Sequence, residues 1–131
     1  MAHASVRSAA QPKSRATEGQ RRGAAAEGSP PDVCLLSNGR YNLMLTDAGS
    51  GYSSCNGLDV TRWRGDATGD CWGQYCYIRD IDGGRVWSVG RQPLGGEADD
   101  YEATLGSDRA VFCRRDADVE TRYEVAVATD A

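Results

Sequence analysis

An all-β, antiparallel domain is what this sequence predicts, and three observations predict it. Apolar and polar residues alternate with a period of two in several short segments. Turn-forming pairs such as Asn38-Gly39 and Asp82-Gly83 recur between those segments. No stretch sustains a 3.6-residue period, so helix is expected to be nearly absent, and the short connections favour antiparallel pairing.

The elements follow in order. Residues 1–31 contain mostly Ala, Ser, Gly, Arg, Gln and Pro, too little apolar surface to bury, so a disordered leader is expected there and a domain over 32–131. Val33 to Leu36 reads as a strand closed by Ser37-Asn38-Gly39-Arg40, because Asn and Gly tolerate the positive φ of tight hairpins. In Tyr41 to Thr46, residues Tyr41, Leu43 and Leu45 share one face, which is the pattern of a sheet with one buried side. A Gly- and Ser-rich loop is expected over Asp47 to Gly57, then strands over Asp59 to Trp63, Gln74 to Asp80 and Arg85 to Val89. Beyond Gly90 to Asp100 come Tyr101 to Leu105, Ala110 to Arg115 and Glu120 to Thr129, separated by Gly106-Ser107-Asp108 and Asp116-Ala117-Asp118.

Composition then removes whole classes of function. The chain has 131 residues, 40% of them hydrophobic and 26% charged, which is ordinary for one globular domain. Its single histidine, His3, stands in the leader, so Ser-His-Asp triads, Cys-His dyads and His-based zinc sites have no folded member. Up to Pro31 five basic residues face two acidic ones, whereas the rest carries ten Arg, no Lys and seventeen Asp and Glu. Arginines dispersed among carboxylates are not a nucleic-acid groove. No apolar run approaches the about 18 residues that cross a bilayer, and no secretory signal core is visible, so a soluble, cytoplasmic location without a membrane segment is expected.

Motifs are few. Cys34, Cys55, Cys71, Cys76 and Cys113 are odd in number and form no CxxC pair, so they read as free, buried thiols without a metal. Asp116-x-Asp118-x-Glu120 begins like a calcium loop but has Thr121 where Gly is needed and Val127 where a bidentate Glu is needed. Gly49-x-Gly51 lacks the remainder of a dinucleotide fingerprint, and no cofactor is expected. What stands out is an aromatic and arginine constellation: Tyr52, Arg62, Trp63, Arg64, Trp72, Tyr75, Tyr77 and Trp87. Aromatic faces stack on the C–H faces of sugars and Arg offers forked donors to hydroxyls, so Tyr52, Arg62, Arg64 and Trp72 are the candidate carbohydrate contacts. Core filling is the competing account of the rings, and salt bridges to Asp59, Asp66 or Asp70 that of the arginines.

A resemblance rests on longer stretches: Leu35 to Tyr41, Thr46 to Ser53, Asn56-Gly57-Leu58, Val60 to Arg64, Asp66-Ala67-Thr68, Trp72-Gly73, Tyr77 to Asp80, Val86-Trp87-Ser88 and Gln92-Pro93. It continues through Tyr101-Glu102-Ala103, Arg109-Ala110, Phe112, Arg114-Arg115-Asp116, Glu120-Thr121 and Val125-Ala126-Val127. In one register these resemble the N-terminal β-sandwich domain of glycoside hydrolase family 94, formerly glycosyltransferase family 36, in the form found in cyclic β-1,2-glucan synthases. Cys55, Gly65 and Gly69 depart from the family pattern.

The resemblance implies a galactose-mutarotase-like super-sandwich, present in part, because the chain would end inside that domain. It also implies enzymes that process β-glucans or β-glucosides with an Asp general acid in a separate (α/α)6 barrel. No residue here matches that Asp, so the expected catalytic set is empty and this chain alone is expected to be inactive. The implied role is weak β-glucan or oligosaccharide contact and scaffolding, with the barrel or a second copy as partner, and a parent synthase at the inner membrane. The alternative is a stand-alone, non-enzymatic carbohydrate-binding or protein-interaction sandwich.

Overall fold

The computed structural model describes residues 30–62 and 71–129, together with the backbone of two short strands in the leader. Those strands are β1 (His3–Ser5) and β2 (Arg21–Gly23). They are followed by β3 (Val33–Ser37), β4 (Tyr41–Thr46), β5 (Gly51–Cys55), β6 (Leu58–Asp59), β7 (Tyr77–Arg79), β8 (Val86–Ser88), β9 (Asp100–Leu105), β10 (Arg109–Asp116) and β11 (Val119–Ala126). No helix occurs among the described residues, so the all-β reading holds, and every pairing is antiparallel. Most of the leader lies outside the described residues, as do Trp63 to Asp70.

Three sheets result. One has the order β1-β11-β10-β9-β2, the second β3-β4-β5-β6, and β7 pairs with β8 alone. The hairpin at Asn38-Gly39 forms as expected, with one difference: only Gly39 takes positive φ, at 88°. The Asn38 Oδ1 instead accepts hydrogen bonds from the N–H groups of Arg40 and Tyr41, at 3.0 and 2.8 Å, folding the turn around a side chain. The expected loop over Asp47 to Gly57 contains a strand, β5. Its exit turn, Asn56-Gly57, has positive φ at both residues, 50° and 79°, the signature of a type I′ hairpin. Among the described residues, the strand expected over Asp59 to Trp63 is confined to Leu58–Asp59, so Arg62 follows a bend rather than lying on a strand, while Trp63 lies outside them.

The core forms between the first two sheets. On β4, Leu43 and Leu45 stand opposite Leu36 and Cys34 of β3. From the other sheet Ala103, Leu105, Ala110, Phe112 and Val125 meet them, with Tyr101, Tyr123 and Val127 packed at the margins. The outer face of that sheet is polar, and the Arg109 guanidinium lies 2.9 Å from Asp108 and 2.7 Å from Glu124. All five cysteines are free thiols, but none is fully buried: Cys34, Cys55, Cys76 and Cys113 are half-buried and Cys71 is exposed. Burial raises the thiol pKa of Cys34 and Cys113 above its ordinary value.

One end of the sandwich is clamped by polar bonds. Arg114 is 2% exposed, and its Nε and Nη2 donate to the two carboxylate oxygens of Asp116 at 2.7 and 3.0 Å. Its Nη1 donates to the Gly90 carbonyl at 3.2 Å. The Gln92 N–H reaches the Ala48 carbonyl at 3.0 Å, and the Tyr101 hydroxyl donates to the Asp47 carbonyl at 2.6 Å. Loop 88–92 is thereby tied to both sheets. Gly90 must be glycine there, because a Cβ would come 2.7 Å from the Ala48 carbonyl oxygen.

Candidate carbohydrate site

The site is built on the outer margin of β5. In the register of β4 and β5, Thr46 pairs toward Ser50, so Gly51 and Ser53 turn their backbone groups away from β4. Gly51 N–H donates to the Trp72 carbonyl at 2.8 Å, and the Ser53 carbonyl accepts from Val60 at 2.9 Å and Thr61 at 3.2 Å. The Thr61 hydroxyl accepts from Ser53 N–H at 2.7 Å. Two loop segments, 60–62 and 71–74, are thus fixed along β5 by backbone bonds. Gly73 permits the approach of 71–74, since a Cβ there would lie 3.0 Å from the Gly51 nitrogen. Gly51 permits the close approach of β4, since a Cβ there would collide with the Met44 carbonyl oxygen.

Between this margin and β11 lies a cavity of about 320 Å³, at the small end of the range for ligand pockets. Tyr41, Leu43 and Leu45 of β4 form one wall, and Tyr123, Val125 and Ala126 of β11 the other. Gly51, Tyr52, Thr61 and Gln74 line the margin. Tyr123 is held by stacking on Phe112, with ring centroids 6.0 Å apart and planes at 28°. Burial, with a smaller contribution from Cys76, raises the Tyr123 pKa, so its phenol is neutral at physiological pH.

The structure brings together only part of the sequence-derived set. Tyr52 borders the cavity, half-buried, and Trp72 lies beside Gly51 through its carbonyl. Arg62 is exposed directly after Thr61. Arg64, with Trp63, lies outside the described residues. Trp87 is buried under the Arg85 guanidinium, 5.9 Å from the ring centroid, which is the core account of that ring. Tyr75 shares a hydrogen bond with the Ser50 hydroxyl at 3.0 Å, and Tyr77 is exposed.

Of the lining residues with polar side chains, Tyr41, Thr61, Gln74 and Tyr123 are those that sequence reasoning did not name as contacts. Tyr41 and Tyr123 carried a signal only as core-facing positions of alternating strands. Thr61 and Gln74 carried none.

The lining offers rings, hydroxyls and an amide, and no carboxylate or histidine among the described residues. Such a surface is suited to stacking and neutral hydrogen bonds. No cluster of three or more metal-ligating side chains occurs among the described residues. No helix among them is long and apolar enough to cross a membrane, which leaves β-barrel insertion unaddressed.

Comparison with known proteins agrees with the fold. The chain is 36% identical over 99 residues to cyclic beta-(1,2)-glucan synthase NdvB of Rhizobium meliloti (strain 1021), covering 76% of this chain and 4% of the synthase. It is 34% identical over 75 residues to N,N'-diacetylchitobiose phosphorylase of Vibrio proteolyticus, covering 55% of this chain and 9% of that enzyme. The chain therefore spans less than a tenth of either relative. The profile of the family described as glycosyl hydrolase 94, supersandwich domain, matches residues 20–131. With its antiparallel sheets facing one another across a shared core, the chain belongs to the glycosyl hydrolase 94 supersandwich domain family.

Proposed function

We propose that this chain is the sandwich portion of a β-glucan-processing enzyme of the cyclic synthase or phosphorylase type. In this reading it contacts glucan, braces a catalytic part carried elsewhere, and performs no catalysis of its own. The observation that carries it is the cavity against β5, which combines three tyrosines with Thr61 and Gln74 and has no carboxylate on its described lining. Family membership and the named relatives support the choice of glucan over other ligands.

The test is a titration with β-1,2-linked gluco-oligosaccharides, read by tryptophan fluorescence, since Trp72 abuts the margin of the cavity. A saturable shift with a Kd of about 1 mM is expected, because few contacts surround a single sugar ring here. Gln74→Ala, which alters the cavity lining, should weaken the response at least tenfold with unchanged circular dichroism. Arg62→Ala with Arg64→Ala, which alters the segment after Thr61, should weaken it as well. A titration of Gln74→Ala identical to that of the wild type would remove the cavity from consideration. A micromolar Kd would instead favour the stand-alone binding module.

A further inference from the structure

The β3 strand ends the four-stranded sheet, and its backbone shows which of its groups are spoken for. Asp47 N–H donates to the Asp32 carbonyl at 2.9 Å and Asn38 N–H to the Tyr41 carbonyl at 3.2 Å. With the register Cys34↔Leu45 and Leu36↔Leu43, these bonds place Asp32, Cys34, Leu36 and Asn38 in the positions that bond to β4. Val33, Leu35 and Ser37 therefore direct their N–H and C=O groups away from the sheet, and β3 has no second neighbour among the described strands. Edge strands are ordinarily protected by Lys, Pro or a bulge within the strand. Val33–Ser37 is VCLLS, without a charge, and its Leu35 and Val33 side chains are 72% and 49% exposed.

We propose that this edge pairs with the same edge of a second copy of the chain, antiparallel, about a two-fold axis through Leu35. Three features make the strand complementary to itself in that register. Leu35 faces Leu35 of the second copy and Val33 faces its Ser37, so every outward donor meets an outward acceptor. The ladder is bounded equally at both ends, since Pro31, which lacks an N–H, falls opposite the turn residue Gly39. The charges also complement: Asp32 falls opposite Asn38, and the exposed Arg40, in the turn that follows Asn38, stands at the same end of the ladder, so each end carries a carboxylate from one copy and a guanidinium from the other. The two exposed Leu35 side chains meet at the axis, each beside Met44 of its own sheet. A ladder of this length buries less than the roughly 1,200 Å² of a stable interface, so the dimer is concentration-dependent. The pairing stands independently of carbohydrate binding.

The experiment is sedimentation velocity on the full chain from about 1 µM to 500 µM, with circular dichroism on each variant. The wild type should pass from monomer to dimer within this range. Leu35→Lys, which sets two ammonium groups face to face at the axis, should shift the dissociation constant at least tenfold upward. Leu35→Pro should do the same while leaving the β4 pairing intact, because the lost N–H is an outward one; if it fails to fold, Leu35→Lys decides alone. Asp32→Arg should weaken the dimer and Asp32→Arg with Arg40→Asp should restore it. A wild type that is monomeric throughout, assemblies that grow beyond a dimer, or a dimer unchanged by Leu35→Lys would each overturn the proposal.

Discussion

Asp116→Ala is expected to lower the unfolding free energy by about 3–5 kcal/mol, because it leaves the Arg114 guanidinium buried without a counter-charge. The size follows from geometry: Arg114 is 2% exposed and takes both carboxylate oxygens of Asp116, at 2.7 and 3.0 Å. A domain of this size has about 5–15 kcal/mol in total, so the variant stands near the limit of folding. Arg114→Met with Asp116→Leu should regain most of the loss, since an apolar pair of similar volume avoids the desolvation of two charges. Urea unfolding of the single and double variants measures both. A single-variant loss below about 1 kcal/mol would mean that water reaches the pair.

Phe112→Ala should cost about 3–5 kcal/mol through the cavity that it opens between the sheets. Phe112 is 1% exposed and belongs to the cluster shared by both sheets, beside Leu36, Leu45 and Val125. Phe112→Leu keeps most of that volume and should cost less than about 1.5 kcal/mol. Because Phe112 also supports the ring of Tyr123, Phe112→Ala should weaken the glucan response by more than Phe112→Leu does. Denaturation midpoints and titrations on the same preparations separate the two effects. Equal midpoints for the two variants would show that the site collapses to fill the void.

The contrast between β4 and β5 explains what was legible in the sequence. Tyr41–Thr46 and the end of Val119–Ala126 declare themselves by alternation, Arg109–Asp116 by its apolar run Ala110 to Cys113, and the turn residues between β9, β10 and β11 mark their limits. Gly51–Cys55 is GYSSC, poor in the β-branched residues that favour strands. It is extended because Met44 and the 60–62 segment bond to its two sides, and a glycine is required where the Met44 carbonyl presses in. A local cue was nonetheless present, since Asn56-Gly57 repeats the hairpin signal that located the first turn. The candidate site was legible only in part for a related reason. Tyr52 and Trp72 stand out as aromatics in a polar stretch, whereas Tyr41 and Tyr123 lie on different sheets and line one cavity through packing that no local pattern encodes.

Both large sheets draw most of their pairing from neighbours in sequence, β3 through β6 in one and β9 through β11 in the other. Apart from the pairing of β1 with β11 and of β2 with β9, the segments distant along the chain are joined by the clamp at 88–92, the bond from the Asn38 side chain to the Ala128 carbonyl and the shared core. In kinetic terms this divides assembly into two fast, local events and one slow docking event, since long loop closures precede the contacts that reward them. Between those events each meander displays a bare apolar face, Leu36 and Leu45 on one and Phe112 and Val125 on the other. The interval before docking is therefore when the chain is most open to aggregation, and the Arg114 contact to Gly90 helps to set how long the docked state survives.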